Sequence, residues 1–139
     1  MINILSGPKG SGKTQELIRL ANDDLVNEKG LIVYIDKGSK YRLQINNQIK
    51  FVDAVEYHIK NGDVFKGFLY GLVAGNYDIS SIYIDCIEDL IDAKCEECVK
   101  KFLQRLDRFS EKYDVKIHVA LNESEQGNSA ELGSYVFQA

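Results

Sequence analysis

The stretch Gly7-Pro8-Lys9-Gly10-Ser11-Gly12-Lys13-Thr14 constrains this chain more than any other. It follows an alternating apolar run, Ile2-Asn3-Ile4-Leu5, that reads as a strand. It precedes the segment KTQELIRLANDDLVNEKG, in which Leu17, Ile18, Ala21, Leu25 and Val26 recur at helical spacing and Gly30 is expected to stop the helix. A glycine-rich loop between a strand and a helix has one strong physical use. Glycines adopt positive φ, so backbone N–H groups can wrap around an anion, and the helix N-terminus adds the positive end of its dipole. The spacing G-x-x-x-x-G-K-[ST] places Lys13 where it meets β and γ phosphates and Thr14 where its hydroxyl holds Mg²⁺, an ion suited to oxygen ligands. All eight residues are therefore candidate nucleotide contacts.

The remainder reads as strands alternating with helices. LIVYID (31–36) is a β-branched apolar run of the kind buried on both faces of a sheet. IKFVDA (49–54) reads as a short strand, Glu56 to Lys60 as a short helix, and Asp63 to about Ala74 as a longer helix with Phe65, Phe68, Leu69 and Leu72 on its apolar face. SIYIDC (81–86) is the next strand and VKIHVALN (115–122) the last. Between them, about Ala93 to Tyr113 is an amphipathic helix whose apolar stripe includes Cys95, Cys98, Val99, Phe102, Leu106 and Phe109. Such alternation implies an α/β fold, a three-layer sandwich around a mostly parallel sheet. Residues 1–125 read as one nucleotide-binding domain, and 126–139, beyond the polar stretch NESEQGNS, as a C-terminal tail. Ligands of such sheets bind beyond the carboxyl ends of the strands, so Asp36, Asp85 and Asn122 join the loop as residues of interest.

The loop motif with its flanking strand and helix resembles the P-loop NTPases. That resemblance implies a second element, an aspartate ending an apolar strand and holding Mg²⁺; SIYID supplies Asp85. In the branch resembling RecA and the AAA+ proteins, a further strand lies between those two and ends in a polar residue that senses the γ-phosphate. IHVALN matches it and ends in Asn122, which equally opens the polar loop that follows. The branch often carries a catalytic glutamate directly after the aspartate. Here Cys86 stands there, and a thiol does not polarise water as a carboxylate does. Glu88, Asp89 and Asp36 remain as candidates, with Lys13 as the charge-stabilising catalytic residue. The implied activity is Mg²⁺-dependent ATP binding with weak or partner-stimulated hydrolysis, serving as a switch or assembly factor. A protein partner or a second copy would supply an arginine. SGPKGSGKTQELIRLA also resembles the opening of the thymidine kinases, but over about sixteen residues only. Their aspartate–glutamate pair and four-cysteine zinc insertion are missing. A small-molecule kinase and a non-catalytic nucleotide-binding module are the two alternatives. The pattern is also similar to small bacterial P-loop proteins labelled after the twitching-motility ATPases, a label that rests on the loop. No N-K-x-D segment is present to read guanine.

Composition narrows the classes. Net charge is -4, with 45% hydrophobic and 27% charged residues, which argues against nucleic-acid coating. No apolar run reaches the ~20 residues of a bilayer span, and no signal peptide precedes the loop, so a cytoplasmic location is expected. Cys95 and Cys98 form C-x-x-C without a second pair of metal ligands and are expected to pack in the core. Lys37, Lys40 and Arg42 in DKGSKYR read as a solvated loop or as contacts to a substrate phosphate, a polynucleotide or a partner. The acidic stretch CIEDLIDAKCEE reads as a helix start, and His118 as a strand histidine facing a helix.

Overall fold

The computed structural model describes residues 2–122 and the backbone of 135–138. Strand β1 (Ile2–Gly7) leads through the glycine loop into α1 (Lys13–Asp24) and β2 (Leu31–Asp36). A 3₁₀ turn (Arg42–Gln44), β3 (Lys50–Asp53), α2 (Gly62–Gly75) and β4 (Ile79–Ile84) follow, then α3 (Ile87–Leu90), α4 (Glu96–Tyr113), β5 (Lys116–Asn122) and β6 (Tyr135–Gln138). The six strands form one sheet in the order β3-β2-β4-β5-β1-β6, and every adjacent pair is parallel. All carboxyl ends therefore share one edge, where Gly7 lies opposite Asn122 and Asp36 opposite Asp53.

Alternation along each strand sorts the core into two layers. Ile2, Ile4, Val33, Ile35, Ile82, Ile84, Ile117 and Val119 pack with Phe65 and Leu69 of α2 and Phe102 and Leu106 of α4. Leu5, Tyr34, Tyr83 and Ala120 pack on the opposite face with Leu17, Ile18 and Ala21 of α1. Successive strand side chains leave opposite faces, so runs such as LIVYID must be apolar throughout when both faces are covered. The expected α/β sandwich with a parallel sheet is thus present, and β5 lies between β1 and β4.

Several local expectations are corrected. No helix forms at 56–60; residues 54–58 form turns. The Asp53 carboxylate takes the N–H groups of Val55 and Gly38, and His58 sits at φ 60, which breaks helical continuity. Helix α1 ends at Asp24, before Gly30, because its last residues are recruited elsewhere. Asn22 bonds the backbone of Gln44 and Asn46, and Asp24 accepts the Tyr83 hydroxyl at 2.7 Å. Gly30 has a different function: a Cβ there would lie 2.2 Å from the Asp78 carbonyl oxygen, to which Leu31 N–H donates. Cys95 and Cys98 are exposed rather than in the core. Cys95 is the N-cap of α4, its Sγ accepting from Cys98 N–H at 3.3 Å, and Cys98 lies in the exposed first turn of the helix, ahead of the first buried residue, Val99. Within the C-terminal tail, Tyr135–Gln138 pairs with β1 as an edge strand, an element the sequence did not announce.

Candidate functional site

The loop is closed by its own backbone. Ser11 N–H donates to Pro8 O at 3.1 Å, and Gly10 and Gly12 take φ values of 83 and 91, with Gly12 as the N-cap of α1. A Cβ at either glycine would meet nothing within 4 Å, so glycine is required by backbone conformation and not by crowding. The Ser11 hydroxyl is buried without a partner. Lys13 is buried, and its ammonium donates to Gly7 O at 2.9 Å and Pro8 O at 2.8 Å. Two neutral carbonyls hold a full positive charge; a phosphate oxygen would be a stronger, charge-assisted acceptor.

Thr14, one residue further into α1, donates from Oγ1 to Asp85 Oδ2 at 2.7 Å. This single bond joins the loop to the end of β4 across 71 residues of sequence. The other Asp85 oxygen accepts the N–H of Cys86 at 2.8 Å, and Asp85 N–H continues the ladder to Ile35 O. Cys86 is the N-cap of α3 and adopts φ 60, a left-handed conformation that costs a non-glycine residue free energy. That turn redirects the chain and brings Glu88 back over the sheet edge.

Asp36 lies beside Asp85. The two carboxylates and the Cys86 thiol have ligand atoms within 4.8 Å of one another, and both carboxylates are buried. The chain's own pattern forces this. Tyr-Ile-Asp occurs at 34–36 and again at 83–85, on neighbouring parallel strands whose register sets Tyr34 against Tyr83 and Ile35 against Ile84. The next position in both strands is an aspartate. Burial, then repulsion from Asp85, pushes the Asp36 carboxyl up to about 6, against a hydrogen bond from Lys37 N–H that favours its charge. The Cys86 thiol is pushed up to about 12 by burial and by the same acids.

Glu88 and Asn122 are also brought together, by a bond neither residue type announces. The backbone N–H of Asn122 donates to Glu88 Oε1 at 2.7 Å, while the Asn122 side chain is exposed. Burial raises the Glu88 carboxyl above its usual range, opposed by that bond and by the charge of Lys13. Asp89 is set apart, 3.9 Å from the Lys37 ammonium on the exposed rim. Lys40 and Arg42 face aromatic rings, Lys40 over Tyr41 and Arg42 over Phe51, rather than the loop.

Behind the acids runs a column that the sequence reading did not single out: Phe51, Tyr34, Tyr83 and His118, stacked with centroid spacings of 6.1, 6.3 and 4.2 Å. The repeated Tyr-Ile-Asp was the available signal. His118 faces the α1 side as expected. Burial holds its ring neutral, lowered to about 4, with Asn3 Nδ2 3.0 Å from Nδ1. A cavity of 680 Å³ lined by Asn3, Asp24, Tyr83, Lys116 and His118 opens at the opposite, amino-terminal end of the strands, away from the loop. Among the described residues no helix is long and apolar enough to cross a membrane. No protein-family model matches this chain and no curated protein resembles it significantly, so geometry alone carries the functional reading.

Proposed function

We propose that this chain is a P-loop protein that binds ATP with Mg²⁺, turns it over slowly without a partner, and serves as a nucleotide-dependent switch or assembly factor. The observation that carries the reading is the coupling of Lys13 and Thr14. A buried ammonium rests on loop carbonyls, and the next residue's hydroxyl is tied to the strand-end carboxylate of Asp85. Loop N–H groups and the α1 N-terminus would receive the phosphates, Lys13 would meet their β and γ oxygens, and Thr14 and Asp85 would hold Mg²⁺. Mg²⁺ would supply charge neutralisation at the phosphates. The β5 strand between β1 and β4 supports the RecA-like version of this reading.

Slow turnover follows from what surrounds the site. Cys86 follows Asp85, so water would have to be oriented by Glu88 or Asp36, which stand at the edge beside it. The four arginines lie elsewhere: Arg19 pairs with Glu16 and Asp23, Arg42 covers Phe51, and Arg105 and Arg108 line a groove with Lys66 and Lys112. A partner or second copy would supply the missing charge, which is worth orders of magnitude in rate. Calorimetric titration of ATP with Mg²⁺ tests the reading. Wild type should bind, and Lys13→Ala should lose about 10- to 100-fold in affinity, the value of hydrogen bonds to a charged group. No binding by wild type, or equal affinity in the variant, would refute it.

A further inference from the structure

Asp36, Asp85 and Cys86 form a cluster of which the nucleotide reading uses the two carboxylates but not the Cys86 thiol. Two buried carboxylates and a half-buried thiol converge within 4.8 Å. Among the described residues no lysine or arginine forms an ion pair with either carboxylate; Lys13 is committed to Gly7 and Pro8, and Lys37 to Asp89. Buried like charges without a counter-charge are costly. A hard ion such as Mg²⁺ has no use for the sulfur, whereas sulfur with oxygen donors suits later divalent transition metals.

A second observation points into the same place. Tyr34 is fully buried, and its hydroxyl has no hydrogen-bond partner. Tyr34 precedes Asp36 by two residues, so both side chains leave the same face of β2. Its stacking partner Tyr83 sends its hydroxyl to Asp24 near the far end of the sheet. Burial first, and then the Asp85 and Asp36 carboxylates, hold the Tyr34 phenol in its neutral, donating form. A buried donor at such a position calls for an acceptor, and water or hydroxide on a metal ion would provide one.

We propose that Asp36, Asp85 and Cys86 bind one thiophilic divalent transition-metal cation, of the Zn²⁺ and Co²⁺ class, without requiring nucleotide. The three side chains leave a fourth position open, the pattern of a site that keeps exchangeable water. Binding releases the Cys86 thiol proton to solvent, and the partly exposed sulfur gives the ion its entry. Tyr34 acts on the bound water and is a positioning residue. Because Asp85 is shared with the Mg²⁺ assignment, the test is made without nucleotide and its result does not depend on that assignment.

The full-length chain carrying Cys95→Ser and Cys98→Ser, which removes the two exposed thiols, is stripped with chelator and titrated with Co²⁺ alone. The expected result is a sulfur-to-cobalt charge-transfer absorption that saturates at one ion per chain and disappears with Cys86→Ser. Tyr34→Phe should keep the band and weaken affinity by about tenfold, the scale of an outer-shell partner. No sulfur-to-cobalt band, or a band that survives Cys86→Ser, overturns the site. Circular dichroism checks that Cys86→Ser folds. If it does not, Asp36→Asn takes its place, and unchanged cobalt affinity there overturns the site equally. ATP affinity with Mg²⁺ is measured separately; its failure would remove the nucleotide reading and leave the cobalt result standing.

Discussion

Asp36→Asn should make the protein more stable at neutral pH, and the gain should fade in acid. The Asp36 carboxyl sits at about 6 in the folded chain against 3.8 when unperturbed, so the folded state favours the protonated form. Above about pH 6 the folded protein carries a strained charge; as pH falls through the window from about 6 to 3.8, proton uptake by the folded state relieves it. A displacement of about two pKa units corresponds to ~3 kcal/mol at pH 7, falling below ~1 kcal/mol near pH 4. Asparagine keeps an oxygen to accept Lys37 N–H, removes the repulsion with Asp85, and gives up the acceptor for the Cys86 thiol, so ~3 kcal/mol is an upper bound. His118 works in the opposite sense. Its ring is lowered to about 4 from 6.5, so its contribution is intact above about pH 6.5 and is lost as pH falls towards 4. In the wild type the two groups offset each other between about pH 6.5 and 4. Asp36→Asn should therefore also steepen acid destabilisation. Urea unfolding at about pH 7 and pH 4 reads both effects. A variant less stable than wild type at pH 7, or with the same advantage at both pH values, would refute the claim that Asp36 is a strained buried charge.

Three further substitutions test the packing account. Gly30→Ala places a Cβ against the Asp78 carbonyl and should cost about 1–3 kcal/mol in urea unfolding, as overpacking does, since the obstacle is backbone in the β4 approach. Tyr34→Phe removes a buried hydroxyl without a partner and should stabilise the metal-free protein by about 1 kcal/mol in the same assay. Cys95→Ser replaces a weak sulfur acceptor at the N-cap of α4 with a preferred cap and should raise the melting temperature, worth about 0.5–1 kcal/mol.

The fold was legible where period and punctuation agree. Continuous β-branched runs such as LIVYID and SIYID marked strands buried on both faces, and the glycine loop marked the β1–α1 joint. Legibility failed where a polar side chain has a tertiary partner. Asn22 and Asp24 end α1 early because they bond to the 3₁₀ turn and to Tyr83, and no window of α1 contains those partners. The turn at 54–58 depends on Asp53 bridging two backbone segments. The stripe that drew Cys95 and Cys98 into the expected core was accurate only from Val99 onwards, because Cys95 is the cap and the first turn, with Cys98, is exposed. At the candidate site, the strand-end rule for parallel sheets named Asp36, Asp85 and Asn122, and all three lie at the carboxyl edge of the sheet. The link between Glu88 and Asn122 was hidden because it runs through a backbone N–H.

The adjacency of Asp36 and Asp85 is of another kind, because it was written in the chain as a repeated tripeptide and needed only the strand order to be read. Two parallel strands carrying Tyr-Ile-Asp in register place tyrosine beside tyrosine and carboxylate beside carboxylate. The aromatic pair gains packing from that arrangement, while the acids repel and lose hydration. Packing alone would be equally served by an amide at either position, and the chain still has an acid at both. The strain at Asp36 is therefore concentrated at the one edge of the sheet where the Lys13 loop, Thr14, Cys86 and Glu88 also converge. Strained groups at a functional edge persist when something binds there that reverses the penalty. A cation is the species that does so for a pair of carboxylates. The same residues that lower the stability of the metal-free protein should make the metal-bound protein more stable, and Asp36→Asn should show both effects: a higher unfolding midpoint without metal and a smaller rise of that midpoint on adding Co²⁺.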